Sequence, residues 1–233
     1  MLILFDIDGT LLLSKRAGMN AMTDAGHELF GEAFSFEGVD FAGRLDPTIW
    51  SMAARKNAVA DTPENHERFR AAYARLLKAR FDADPTAELL PGVAELLERL
   101  RQDSLFTVGL LTGNYPETGK LKLRTAGLDP DIFTICAWGD EAAQRRDLPG
   151  VAMARYEQAV GEAIRPEQVV VIGDTPHDVD CALHHGCRAL AVATGPVHSF
   201  DELLAHEPDL AVRDLSDTES VMGWLLDRRS VSP

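Results

Sequence analysis

The chain begins MLILFDIDGTLL (residues 1–12), an apolar run that ends in Asp6 and Asp8. A nearly continuous apolar run such as LILFDI is typical of a strand that is buried on both faces of a parallel sheet. Successive side chains alternate between the faces of a strand, so Asp6 and Asp8 can point the same way. Ligands of open α/β sheets bind beyond the carboxyl ends of the strands. The stretch therefore predicts a buried strand leading into a functional site, with a solvated loop at Gly9-Thr10 as the alternative.

Apolar, β-branched runs predict five further strands, at residues 106–112, 132–138, 169–173, 189–193 and 209–212. Helix-length patterns lie between them, at 91–100, where four apolar residues share one face, and at about 148–164. Strands that alternate with helices indicate an α/β fold with right-handed crossovers.

Residues 14–88 interrupt this alternation, because they contain no convincing strand. Helices are predicted there at 16–30, 46–58 and 63–81. We therefore predict two domains, a catalytic core of residues 1–13 and 89–233 and a helical domain of residues 14–88. The tail from Ser230 is expected to fray.

The composition indicates an ordinary soluble globular protein, with 233 residues of which 45% are apolar and 26% charged. The net charge of −14 argues against nucleic acid as a partner, because phosphate backbones favour Lys and Arg. No apolar run approaches the roughly 20 residues of a membrane helix. The N-terminus has no basic region ahead of an apolar stretch. We expect a cytoplasmic protein with no membrane partner.

Polar residues follow several of the predicted strands, in the same way that Asp6 and Asp8 follow the first. They are Thr112-Gly113-Asn114, Arg145-Arg146 and, after VVVIG, Asp174 and Asp178. If these strands are parallel neighbours, one pocket collects carboxylates, a hydroxyl, an amide and a fixed cation. Carboxylate oxygens suit Mg²⁺, and an arginine matches phosphate. A carboxylate can also act as nucleophile or as acid and base. The set indicates phosphoryl transfer.

Three of these segments together resemble the haloacid dehalogenase (HAD) superfamily of phosphohydrolases. FDIDGTL at residues 5–11 is similar to its first motif, LTGN at 111–114 to its second and GDTPHD at 173–178 to its fourth. The helical insertion stands where phosphoglycolate phosphatase-like members carry a type C1 cap domain. The resemblance implies a Rossmann-like parallel-sheet core with an inserted α-helical cap, and a Mg²⁺-dependent phosphatase that works through an aspartyl phosphate.

The resemblance also implies roles for single residues. Asp6 would be the nucleophile, and Asp8 the general acid and then the base. The Asp6 carboxylate, the Asp8 carbonyl and Asp174 would bind Mg²⁺, with Asp178 beside them. Thr112 would bind the transferring phosphoryl group.

The third motif departs from the family pattern, because QRRDLP at residues 144–149 contains no lysine. An alignment on Pro149 and Glu157 puts Arg146 in the lysine position. Arg146 is therefore the expected cation, and a solvated basic pair at a helix start is the alternative. Arginine would keep the charge but change the geometry, since guanidinium is a planar fork.

Substrate contacts are expected from Gly113 and Asn114 and from Arg44, in the GRLDP stretch of the predicted cap. Arg44 could reach an anionic substrate, or it could lie on the surface while Asp46 caps a helix. The expected partner is a small phosphomonoester, and the expected state is a monomer or homodimer.

Other functions remain open at the level of sequence. A phosphomutase of the β-phosphoglucomutase type shares all these motifs and the cap. A relative that binds metabolites without catalysis is disfavoured by the retained aspartates and Thr112. A haloacid dehalogenase proper and a phosphonatase lack the second aspartate of the first motif, which Asp8 supplies here.

Overall fold

The first strand, β1 (Leu2–Phe5), lies in the centre of a six-stranded parallel sheet with the order β5-β4-β1-β6-β7-β8. The computed structural model describes residues 1–227. The other strands are β4 (Thr107–Leu111), β5 (Ile135–Ala137), β6 (Val169–Gly173), β7 (Arg188–Val192) and β8 (Leu210–Val212). All six predicted strands are confirmed, with ends that differ by up to three residues.

The apolar runs are explained by packing on both faces of this sheet. Every residue of β1 and β6 is buried. Ile3 and Phe5 belong to one apolar cluster, whereas Leu2 and Leu4 belong to another. Alternate side chains of one strand therefore serve two cores, as expected for an α/β fold with helices on both faces. These helices are α4 (Val93–Gln102), α5 (Pro116–Thr125), α6 (Leu148–Val160), α7 (Pro176–His184), α8 (Phe200–Leu204) and α9 (Thr218–Leu226).

The helical insertion predicted after β1 is present as α1 (Ala17–Phe30), α2 (Asp46–Lys56) and α3 (Pro63–Ala83). Proline stands at the start of both α2 and α3, where its missing N–H costs nothing. The Thr62 side chain also caps α3 by accepting a hydrogen bond from the Asn65 amide.

Two short strands at the base of the insertion escaped prediction. β2 (Leu12–Leu13) and β3 (Glu88–Leu89) form an antiparallel pair, with Leu12 opposite Leu89. Two residues are too few to show a strand period. The chain therefore enters the helical insertion after β2 and returns from it at β3, so the two ends of the insertion lie side by side. The division into two domains at residues 14 and 88 stays a prediction.

No helix in the described part of the chain is long and apolar enough to cross a membrane. The predicted fraying from Ser230 lies outside the described residues.

Candidate active site

The carboxyl edge of the sheet brings the predicted acidic residues together. Strand pairing sets Phe5 level with Leu110 and Ile172, so the chain emerges from β1, β4 and β6 side by side. Asp6 follows β1 and Asp174 follows β6, while Asp178 lies in the first turn of α7. One oxygen from each of these three carboxylates lies within 4.8 Å of the others, and all three residues are buried. We call Asp6, Asp174 and Asp178 the carboxylate cluster.

Asp6 is a member of the cluster whose charge is disfavoured by its surroundings. Burial raises the pKa of Asp6 to about 6, with Asp178 and Asp8 adding to the rise while Arg145 opposes it. The backbone amide of Asp6 donates to the Ile172 carbonyl at 2.9 Å, which ties the residue to β6. Asp6 is therefore an anchored carboxylate whose charge needs compensation.

That compensation comes from Arg145, which is buried. Its Nη2 lies 2.9 Å from Asp6 Oδ2 and 2.5 Å from Asp178 Oδ1. Its Nε also donates to Asp178 Oδ1 at 3.2 Å. The guanidinium thus bridges two members of the carboxylate cluster with several of its donors.

Arg146, the cation expected from the alignment, does not reach the carboxylate cluster, so its predicted position is wrong. Its side chain is 46% exposed and pairs with Asp180 at 2.7 Å. Both arginines lie in one 3₁₀ turn, Arg145–Asp147, where neighbouring side chains point in very different directions. Arg145, the first of the pair, is the residue that points inwards. An alignment that is uncertain by one residue cannot distinguish it from Arg146.

Asp174 occupies a space that two glycines create. A Cβ added at Gly9 would lie 2.2 Å from Asp174 Oδ2, and one added at Gly195 would lie 1.7 Å from it. Thr10 Oγ1 donates to Asp174 Oδ1 at 3.3 Å. Burial, with the charges of Asp178 and Asp6, raises the pKa of Asp174 well above its usual value.

The carboxylate cluster fits a Mg²⁺ ion. Carboxylate oxygens are the ligands that this hard cation prefers. Three buried carboxylates share Arg145 as a cation, which leaves an excess of negative charge. Burial, and then the neighbouring carboxylates, raise the pKa values of Asp6 and Asp174. Asp178 has the fewest oxygen lone pairs left for a metal ion, because its Oδ2 accepts hydrogen bonds from the amide and hydroxyl of Thr175.

A second polar group forms where β4 ends and α5 begins. Thr112 is fully buried, and its Oγ1 accepts from Asn114 Nδ2 at 2.8 Å. The same Nδ2 donates to Asp8 Oδ2 at 2.9 Å. Lys122 Nζ lies 2.6 Å from Asp8 Oδ2 and 2.7 Å from Asn114 Oδ1. Asp8, Asn114 and Lys122 therefore form one network beside the carboxylate cluster.

Sequence reasoning missed Lys122, although a signal exists. The buried residues of α5 are Thr118, Gly119, Lys122 and Leu123, which form one helix face. A lysine on the buried face of a helix is costly unless it has partners, so it points to a function for the ammonium group.

The start of α2 and the loop before it pack directly on the loop after β4. The Asp46 amide donates to the Gly113 carbonyl at 2.7 Å, and Asp46 Oδ2 accepts from the Tyr115 amide at 3.0 Å. Burial raises the pKa of Asp46 to about 7. A Cβ on Gly113 would lie 2.0 Å from the Arg44 carbonyl, so only glycine permits this approach.

Arg44 lies at a cavity between this edge of the sheet and the insertion. Its Nη2 pairs with Asp40 at 2.9 Å, and 40% of its side chain is exposed. The cavity has a volume of about 380 Å³, and its lining includes Asp6, Asp8 and Asp174. A ligand in it would lie between the carboxylate cluster and helices of the insertion.

Comparisons with known proteins identify the family of the chain. A family model described as haloacid dehalogenase-like hydrolase matches residues 1–211. The phosphoglycolate phosphatase of Synechococcus elongatus is 29% identical over 92% of this chain and 93% of its own length. Pyrophosphatase PpaX of Anoxybacillus flavithermus is 23% identical over 95% of this chain and 96% of its own.

Among solved structures, a hydrolase from Pseudomonas syringae superposes with a TM-score of 0.73 at 21% identity, covering 97% of this chain and 99% of that one. This likeness shows the fold. The family match spans five of the six strands, the first two residues of β8 and the residues of the site. The chain is an enzyme that belongs to the haloacid dehalogenase-like hydrolases.

Proposed function

We propose that this hydrolase is a Mg²⁺-dependent phosphatase, which cleaves a small phosphomonoester through an aspartyl phosphate on Asp6. The observation that carries the proposal is the buried Asp6 carboxylate, held 2.9 Å from Arg145 within the carboxylate cluster. A nucleophilic carboxylate must be anchored, and a fixed cation beside it stabilises the charge of the transferring phosphoryl group. The phosphatase names of the curated relatives support the same reaction.

In the proposed first step, Asp6 attacks phosphorus and the bond from phosphorus to the ester oxygen breaks. Asp8 gives its proton to that oxygen, so the alcohol leaves neutral. In the second step Asp8 takes a proton from a water molecule, which attacks phosphorus. Inorganic phosphate leaves and the Asp6 carboxylate is regenerated. Asp8 can serve both steps because it is only partly buried, with 42% of its side chain exposed at the cavity.

The other site residues have supporting roles in this proposal. Mg²⁺, held by the Asp6 and Asp174 carboxylates and the Asp8 carbonyl with Asp178 beside them, would offset the negative charge of the phosphoryl oxygens. Thr112 and the Gly113 amide bind those oxygens. Asn114 and Lys122 hold the Asp8 side chain, to which both donate hydrogen bonds. Arg44 binds an anionic substrate at the cavity entrance.

Phosphate release from a panel of phosphomonoesters, measured with and without Mg²⁺, tests the proposal. Asp6→Asn removes the nucleophile without changing the shape of the side chain, so we expect release to fall by at least about 10³-fold. Asp201→Asn, the same substitution at an exposed position of α8, should leave the rate unchanged. Circular dichroism checks that both variants fold.

A folded protein that binds Mg²⁺ but releases no phosphate from any ester would contradict the proposal. Sugar-phosphate isomerisation in the presence of a bisphosphate activator would then identify a phosphomutase instead. Release that survives Asp6→Asn would contradict the assignment of the nucleophile.

A further inference from the structure

The cavity above the carboxylate cluster is larger than a two-carbon alcohol requires. Its volume of about 380 Å³ lies within the roughly 300–1,000 Å³ of small-molecule sites. A phosphoryl group bound at Asp6 leaves the alcohol portion of the substrate facing the helices of the insertion. The side chains on that side therefore decide which alcohols fit.

Those side chains form an apolar wall, which we define as Leu12, Leu13, Met19, Met22, Phe41 and Ile49. They come from three separate segments: β2, α1 and the chain from residue 41 to the first turn of α2. Apolar side chains from three segments between residues 12 and 49 thus converge on one cavity. None of these side chains can replace the hydrogen bonds that a hydroxyl or carboxylate group makes with water.

Two charged groups deeper in the cavity, Lys122 and Asp46, already have partners. Lys122 donates to Asp8 and Asn114, at 2.6 and 2.7 Å. Asp46 accepts a hydrogen bond from the Tyr115 amide. These bonds already use two of the three Lys122 N–H donors and one of the two Asp46 oxygens, which reduces what both groups can offer to a substrate hydroxyl.

Three positive charges of the lining, on Lys15, Arg16 and Arg44, lie towards solvent, whereas Lys122 and Arg145 are buried. Lys15 pairs with Glu88 at 2.7 Å, and Arg44 pairs with Asp40 at 2.9 Å. Arg16 is exposed, and its Nη2 lies 3.1 Å from Met19 Sδ. Charged parts of a ligand are therefore favoured at the entrance, whereas the apolar wall favours apolar atoms.

We propose that the preferred substrates are phosphomonoesters whose alcohol has an apolar body, aromatic or branched aliphatic, and that esters of polyols, sugars and small hydroxy acids are poor substrates. This inference rests on the proposed phosphatase function. Met19 and Met22 favour it further, because a flexible thioether adapts to a ligand and makes favourable contacts with aromatic rings.

Four primary alkyl phosphates test the inference, since their leaving groups have similar reactivity. We compare 2-phenylethyl phosphate and 3-methylbutyl phosphate with glycerol 3-phosphate and phosphoglycolate. Burial of several additional apolar carbons predicts kcat/KM values at least about tenfold higher for the first two. p-Nitrophenyl phosphate and the Asp6→Asn variant establish separately that the site is a phosphatase.

A substitution in the apolar wall links the preference to the cavity. Met19→Gln keeps the length of a half-buried side chain on α1 and makes it polar. It should lower kcat/KM for 2-phenylethyl phosphate about tenfold and change that for glycerol 3-phosphate by less than about twofold. Met153→Gln is the matched control, because Met153 is also half-buried in a helix but packs on the apolar cluster that contains Leu2 and Leu4.

The outcomes separate the two proposals. Activity that depends on Asp6 but favours glycerol 3-phosphate or phosphoglycolate would overturn this inference and leave the phosphatase intact. An equal effect of Met19→Gln on all four esters would also overturn it. No Asp6-dependent release from any ester, p-nitrophenyl phosphate included, would overturn both.

Discussion

The carboxylate cluster and the apolar wall face each other across one cavity but are built in opposite ways. Each carboxylate of the cluster has a defined polar partner, Arg145 for Asp6 and Asp178 and Thr10 for Asp174. The wall makes contacts that any apolar group of similar size could make. Removing one partner of a buried charge leaves the other uncompensated, whereas exchanging apolar residues of similar volume costs little. Substitutions are therefore expected to be poorly tolerated in the carboxylate cluster and better tolerated in the apolar wall.

After the loss of the nucleophile itself, the largest effect is expected at the cation of the carboxylate cluster. Arg145→Met leaves Asp6 without a fixed positive charge and should lower kcat by about 10²–10³-fold, as the loss of one stabilising group in a site does. Arg146→Met is the matched control at the neighbouring, exposed position and should keep near-normal turnover. Initial rates of phosphate release measure both.

Arg145→Lys keeps the charge, so partial recovery of turnover is expected and would show that a cation is needed at this point. A large loss with Arg146→Met and a normal rate with Arg145→Met would reverse the assignment. Thermal unfolding of all three variants separates loss of turnover from loss of the fold.

A smaller effect is expected where the carboxylate cluster touches backbone. Gly195→Ala adds a methyl group 1.7 Å from Asp174 Oδ2, which forces that carboxylate to move. Mg²⁺ affinity, measured by isothermal titration calorimetry, should fall about 10- to 100-fold, as it does when groups that orient a metal ligand change. Gly223→Ala, in α9 with open space around its Cβ, should bind Mg²⁺ normally. Equal affinity in both variants would refute the role of Asp174.

Asp46, which joins the insertion to the loop after β4, is expected to affect stability rather than turnover. Its pKa is raised from 3.8 to about 7 by burial, so the folded state holds this proton more tightly than the unfolded state does. Stability from this group is therefore complete below about pH 4 and is lost as the pH rises through 7, by roughly 4 kcal/mol at most.

Asp46→Asn keeps an acceptor for the Tyr115 amide and removes this titration. The gain in unfolding free energy of the variant over the wild type should therefore grow from pH 5 to pH 8, in urea unfolding measured at each pH. Asp201→Asn should give a curve parallel to that of the wild type. A parallel curve for Asp46→Asn would show that Asp46 does not titrate in this way.

The sheet and most positions of the site follow from sequence patterns, whereas details set by one turn of chain do not. LILFDI and VVVIG predicted the central strands because burial on both faces requires continuous apolar residues. Arg145 and Arg146 are neighbours of the same type, and only the 3₁₀ turn decides which one points inwards. The apolar wall could not be predicted either, because it joins three segments that meet only through the fold. The catalytic roles of Asp6, Asp8 and Thr112 stay predictions until the variants are measured.

The short β2–β3 pair has a consequence for how such enzymes can diversify. Leu12 and Leu89 are opposite each other, so the residues between them form one insertion whose two ends are adjacent. Residues can be gained, lost or exchanged within that insertion without altering any strand connection that positions Asp6 or Asp174. Under the proposed function, the substrate could therefore change through substitutions in one contiguous segment, while the strands that lead to Asp6 and Asp174 stay unchanged.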